Sequence, residues 1–207
     1  MLTRSELGEF VREHLGADNF RLETHDVLNV PQDAGNVEAY LAGEPRPPHP
    51  WGEVVRQRAA EGTITRRVMV LSEPLTDYRR MSIEWQYLRN VEAGERCRII
   101  DRPEDPGVGS QDFWLFDNVH LLLMHYAAGS GEFVGGEHVT DHGEMDRYRE
   151  LARLAWDAGT DLTDWWANHP QYWRDQYVPT PRSSDDATRP TAARANDAAR
   201  EGAARAT

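Results

Sequence analysis

The chain has 207 residues, a formal net charge of -12 and a single cysteine. That length suits one domain with its own core, and an acidic surface repels phosphate backbones and anionic lipid, so direct nucleic-acid and membrane binding are set aside. All 23 basic residues are arginine, which removes the P-loop and every Schiff-base or proton-transferring lysine; one cysteine builds neither an internal disulfide nor a cysteine-rich zinc site.

In chain order, residues 5–15 place Leu7, Phe10, Val11 and Leu15 at helical spacing behind Ser5 as a cap. Residues 20–30 are mixed and end at Pro31. A short helix over 37–42 precedes the proline-stiffened loop 45–50, and a helix over 51–60 closes at Gly62. Residues 66–71 are β-rich. Leu75, Tyr78, Met81, Trp85 and Leu88 then form one apolar stripe on a helix, with Pro74 suited to its first turn and Gly94 to its end. With a strand over 96–100, this makes a βαβ unit with parallel strands. Strands over 113–116, 119–126 and 132–139 follow, joined by turns at Asp117-Asn118 and Gly129-Ser-Gly131, as an antiparallel meander. Helices over 145–158 and 162–166 close the fold. From Pro179 the composition collapses to small and polar residues that cannot offset their ordering entropy, which predicts a disordered tail. The expected fold is therefore a mixed α/β (α+β) domain over 1–178, with helices packed on the sheet and a tail over 179–207. No apolar run reaches the roughly 20 residues of a bilayer span, and no signal peptide is legible, so a soluble cytoplasmic protein is expected.

Five blocks, Arg21-Leu-Glu-Thr24, Leu41-Ala-Gly-Glu44, Val70-Leu-Ser-Glu-Pro-Leu-Thr-Asp-Tyr78, Asn90-Val-Glu-Ala-Gly-Glu95 and Asp112-Phe-Trp-Leu-Phe-Asp117, resemble an actinobacterial domain-of-unknown-function family over about 20–156. Members of that family are commonly encoded beside small helix-turn-helix regulators, so the resemblance implies a regulatory partner; it carries no established catalytic residues to transfer. A more distant similarity is to half of a phospholipase-D-like domain, whose chemistry uses a His-x-Lys motif. Without lysine, that similarity implies the fold and not the active site.

In an open α/β sheet ligands bind beyond the carboxyl ends of the parallel strands. Ser72, Glu73, Thr76 and Asp77, with Arg79 and Arg80, are expected there, either as an anion site or as helix caps and solvated charges. Asp112 and Asp117 bracket Trp114, an aromatic beside carboxylates that serves as a ligand platform or as core with turn acids. His125, five residues from His120 and so on the opposite strand face, is a candidate base near Ser72 or Asp112, or a packed core residue. His138 and His142 have metal-ligand spacing but sit at a strand end, where four-residue spacing does not converge; no metal and no cofactor are expected. Cys97 reads as a buried strand residue. Trp156, Trp165, Trp166, Trp173, Tyr172 and Tyr177 form either a partner surface or a lid on the sheet. The expected function is a non-enzymatic protein- or ligand-binding module associated with a helix-turn-helix regulator, the alternative a small hydrolase or transferase at Ser72, Asp77, Asp112 and His125.

Overall fold

The computed structural model describes residues 1–29, 33–128 and 130–174. One mixed sheet of seven strands organises them, in the order β6-β5-β4-β1-β2-β3-β7. The elements are α1 (Arg4–His14), β1 (Asp18–Glu23), α2 (Asn36–Leu41), α3 (Pro50–Ala60), β2 (Ile64–Leu71), α4 (Asp77–Ser82), a π-helical turn (Ile83–Tyr87), α5 (Leu88–Ala93), β3 (Arg96–Asp101), β4 (Asp112–Phe116), β5 (His120–Tyr126), β6 (Phe133–Val139), α6 (His142–Ala158), β7 (Thr160–Asp161) and α7 (Leu162–Ala167).

β1, β2 and β3 are parallel neighbours, so the βαβ unit is present and has a further strand at its start. β4, β5 and β6 form the expected antiparallel meander, and β4 pairs antiparallel with β1. The β4–β5 turn is tight because Asp117 and Asn118 both take the left-handed conformation, φ 51° and 57°. Two consecutive positive φ values match a hairpin turn to the right-handed twist of its strands, and Asp and Asn tolerate them better than most residues.

Strand alternation splits the core into two layers. Phe20, Leu22, Val68, Val70, Ile100, Phe113, Leu115 and Leu121 face α6, which contributes Met145, Tyr148, Ala152 and Ala155. On the opposite face, Met69, Leu71, Cys97 and Ile99 lie under Ile83, Tyr87, Leu88, Trp165 and Trp166. Trp114, Phe116, Leu122 and Met124 lie under Leu7, Phe10 and Val11 of α1. The C-terminal aromatics therefore lid the sheet: Trp165 and Trp166 are buried, and the Trp165 indole donates to Asp101 Oδ1 at 3.0 Å. Tyr177 and the tail from Pro179 lie outside the described residues, as does Gly129 of the expected turn.

Two local expectations are corrected, and one stretch left without an element gains one. α1 is capped by Thr3 rather than Ser5, because Thr3 and Glu6 close a reciprocal capping box. The central helix begins at Asp77, since the Thr76 hydroxyl accepts from the Arg79 amide at 3.1 Å; Pro74 stands before it and not in its first turn. The mixed stretch from Phe20 opens inside β1, the middle strand of the sheet. Among the described residues no helix is long and apolar enough to cross a membrane.

Phe113 is 0% exposed between β1 and α6, so Phe113→Ala is expected to lower the unfolding free energy by about 3–5 kcal/mol. Val119→Ala, at a residue 58% exposed, is expected to stay within about 0.5 kcal/mol. Urea denaturation followed by circular dichroism measures both.

Candidate functional site

Residues two apart on a strand share a face, so β1 turns Arg21 and Glu23 together toward the helices rather than toward α6. Arg67 of β2 and Trp114 of β4 are the register partners of Arg21 on either side. All three charged side chains are buried, and two adjacent guanidinium groups would repel strongly there. Glu23 resolves this. Its Oε1 accepts from Arg21 Nε at 2.7 Å and from Arg67 Nη1; its Oε2 accepts from Arg79 Nη1 at 2.9 Å and from the Tyr87 hydroxyl at 2.8 Å. Arg67 Nε donates in turn to Glu95 at 2.8 Å. Burial alone would raise the Glu23 pKa, but Arg67, Arg21 and Arg79 outweigh it and hold the carboxyl well below its ordinary range. The cluster carries three guanidinium groups against two carboxyl groups.

Above this cluster, between the sheet and the helices, lies a cavity of about 1340 Å³. Arg21, Glu23 and Arg67 form its charged floor, with Trp51, Trp85, Trp114, Tyr87, Tyr126 and Phe133 as aromatic walls. α1 covers it with Leu7, Val11 and Leu15, and Arg4, Arg12, Arg58 and Arg89 line it together with the acids Asp33 and Glu61. The Arg21 guanidinium lies 4.9 Å from the centroid of the Trp114 ring, and that of Arg67 lies 5.0 Å from Tyr87. The indole nitrogens of Trp51 and Trp85 are buried and have no hydrogen-bond partner among the described residues.

A second cluster occupies the carboxyl ends of β1, β2 and β3. Asp112 Oδ1 accepts from the Thr24 amide at 2.7 Å, the Thr24 hydroxyl at 2.8 Å and His25 Nδ1 at 3.0 Å. Its Oδ2 is buried without a partner among the described residues. Arg102 spans the ends, donating from Nε to Ser72 Oγ at 2.7 Å and from Nη2 to the Thr24 carbonyl, while the Ser72 amide donates to Asp26 at 3.1 Å. The hydrogen bond to Asp112 raises the His25 pKa against the opposing effect of burial.

The sequence-derived candidates divide between these places. Ser72 and Asp112 share the strand-end cluster, Trp114 walls the cavity, and Arg79 is fully buried on Glu23 rather than open to a ligand. Glu73 and Asp77 are about half exposed; Glu73 accepts from the Tyr172 hydroxyl, and Asp77 pairs with Arg80 at 3.1 Å. Asp117 stands at the far end of β4, where it accepts from the Asp18 amide at 2.8 Å as a turn acid. His125 is not the base beside Asp112: it shares a strand face with Leu121 and Leu123 and pairs with Glu137 at 3.1 Å, and His25 holds the place expected of it. His138 packs beside His14 and His120, and burial, then these two rings, lower its pKa; His142 begins α6 instead. Among the described residues no three His, Cys, Asp or Glu side chains are grouped to hold a metal ion. Cys97 is buried, which raises its thiol pKa.

Arg21, Glu23, Arg67, Glu95, His25 and Arg102 were not anticipated. The available signal was charge at alternate positions of apolar strands, Arg21-Leu-Glu23 and Arg67-Val-Met, which reads equally as a solvated face.

A family model described as Domain of unknown function (DUF6879) matches residues 5–167. Among solved structures, the chain is similar to a phospholipase D family member, Nuc from Salmonella typhimurium, with a TM-score of 0.46 and 10% identity over 75% of this chain and 90% of that one. No curated protein matches.

Glu23→Gln leaves buried guanidinium groups uncompensated and is expected to cost about 3–5 kcal/mol by urea denaturation. Because the folded Glu23 pKa is depressed, its contribution is present above the unfolded value of about 4.5 and is lost as pH falls through the folded value. His25 has the opposite sign. Its raised pKa contributes stability that is complete below the unfolded value of about 6.5 and is lost as pH rises through the folded one. Urea midpoints for wild type and His25→Gln are therefore expected to differ more at pH 6 than at pH 9.

Proposed function

This chain belongs to the domain-of-unknown-function family DUF6879, and we propose that it is a non-catalytic binding module whose cavity receives a small molecule and whose protein partner is a helix-turn-helix regulator. The observation that carries the reading is the cavity of about 1340 Å³ with buried charge on its floor and aromatic walls. Ligand sites are concave, mostly apolar and equipped with a few convergent polar groups, and this one has that composition. Burying three arginines and two glutamates is costly, and a scaffold that only needed stability is as well served by apolar residues of similar volume. A site that needs fixed charge is not.

The absence of turnover is supported by the same groups. Glu23 accepts four hydrogen bonds, so its lone pairs are committed and it is no base. His49, a histidine of the lining, is occupied by Asn90 at 2.7 Å, and burial lowers its pKa. The helix-turn-helix partner rests on the family resemblance, and the acidic net charge of -12 suits a basic partner surface. Cytoplasmic placement belongs to the same reading.

One observation favours a second reading, a small hydrolase or transferase at the strand ends. His25 with Asp112 is an oriented imidazole with a carboxylate behind it, the arrangement that makes a general base. Ser72, however, is engaged by Arg102, and no hydrogen bond joins Ser72 to His25 among the described residues.

Native mass spectrometry of the gently purified protein separates the two. A bound small molecule on wild type, lost from Trp114→Ala, together with capture of a helix-turn-helix protein, is the expected result. No bound mass, with hydrolysis of a p-nitrophenyl ester or phosphoester that His25→Ala abolishes, would replace the binding module with the enzyme.

A further inference from the structure

We infer that the ligand of the cavity is an aromatic anion: a planar ring system carrying a carboxylate, sulfonate or phosphate group that meets Arg21. This deepens the binding-module reading and rests on it.

The first ground is charge inversion. The whole chain carries a net charge of -12, yet the cavity is lined by six arginines and three acids. A positively lined concavity with low-dielectric walls, inside an acidic molecule, focuses field lines onto an entering anion.

The second is the state of the individual donors. Arg67 spends Nε on Glu95 and Nη1 on Glu23. Arg21 spends only Nε on Glu23, and its Nη2 reaches the Tyr126 hydroxyl at 3.5 Å, beyond good hydrogen-bond length. A guanidinium has five N–H donors. Arg21 therefore presents its terminal edge to the cavity with donors in hand, at 9% exposure. Among the described residues, the buried polar atoms of the cavity wall without a partner are the indole nitrogens of Trp51 and Trp85, and these are donors too. At the floor, where Glu23 is saturated, free donors outnumber free acceptors, which asks for a ligand rich in oxygen acceptors. A cation would find Glu23 already saturated by Arg21, Arg67, Arg79 and Tyr87.

The third is the shape of the apolar part. Trp114 lies under Arg21 and meets Trp51 edge-on, with ring centroids 6.4 Å apart at 78°. Trp114 is also stacked on Phe116, so the aromatic wall beside the guanidinium is completed by Trp51, Trp85, Tyr126 and Phe133, and such a wall fits a flat body bearing an acidic group.

The test uses two dyes that differ in one group. 8-Anilinonaphthalene-1-sulfonate is an aromatic anion, and N-phenyl-1-naphthylamine is its neutral counterpart without the sulfonate. Fluorescence titration of the wild-type chain is expected to show saturable one-to-one binding of the sulfonate, about tenfold or more tighter than the neutral dye, as a charge-assisted hydrogen bond supplies. Arg21→Gln is expected to remove that preference, so that the two dyes bind with equal affinity. Because Arg21 belongs to a buried network, a second variant guards against misfolding: Arg4→Gln with Arg12→Gln, both at exposed α1 positions. It is expected to weaken sulfonate binding about two- to fivefold at low salt and to flatten its salt dependence. Equal wild-type affinity for the two dyes, both lost in Trp114→Ala, would overturn the anion inference while leaving the cavity a binding site. No binding of either dye to wild type would overturn the cavity reading itself, and this inference with it.

Discussion

Glu23 accepts hydrogen bonds from Arg21, Arg67, Arg79 and Tyr87, so one carboxylate ties β1, β2, α4 and the π-helical turn into one unit. The neighbours around it follow from that constraint. Arg21 and Arg67 can be register partners on a covered sheet face only because an anion stands between them. Helical geometry must then deliver two further donors to the same carboxylate from positions eight apart. At 3.6 residues per turn, Arg79 and Tyr87 would point about 80° apart. The wider π-helical turn at Ile83–Tyr87 takes more residues per revolution and swings Tyr87 back toward the side of Arg79. The irregularity in the central helix thus has a definite geometric task.

The choice of arginine matters as much as its number. A buried lysine can shed its proton and neutralise itself, whereas a guanidinium keeps its charge in a protein interior and fixes its donors in a plane. The positive character of the cavity floor is accordingly permanent across physiological pH. The histidines with shifted pKa values lie off that floor, at His25 beside Asp112, at His138 near α1 and at His49 on the cavity lining, where burial lowers it.

Much of the fold was legible because it is written in local patterns. The apolar stripe from Leu75 to Leu88, the turn at Asp117-Asn118 and the alternation of Cys97 and Ile99 with arginines each report on their own surroundings. β1 was illegible for the reason that makes it important: Arg21 and Glu23 look like the wet side of a strand, and only the helices packed over them, supplied by distant sequence, show that side to be dry. Pro74 and Ser5 were misplaced because more than one residue nearby could begin a helix, and the hydrogen bonds of Thr76 and Thr3 decide it. At the strand ends, topology put Ser72 and Asp112 together, but strand alternation cannot tell which histidine is adjacent. His25, just past β1, packs against Tyr126, the residue next to His125 in sequence, while His125 itself turns to Glu137. The cavity joins Arg21, Trp51, Arg67, Trp85 and Trp114 from four separate elements and an intervening turn, a juxtaposition that no window of sequence contains.

α1 has consequences for rates rather than affinities. None of its residues is fully buried, and its N-terminal end is fastened to β6 by the pair of backbone hydrogen bonds between Leu2 and Gly136, while Leu7, Phe10 and Val11 rest on the aromatic face beneath. Segments held by few buried groups open at a fraction of the free energy of global unfolding. α1 forms one wall of a cavity that is also open to solvent, so lifting it would widen the passage between the interior and the solvent. Loosening of α1 would therefore quicken entry and exit together and leave their ratio, the affinity, largely as it was.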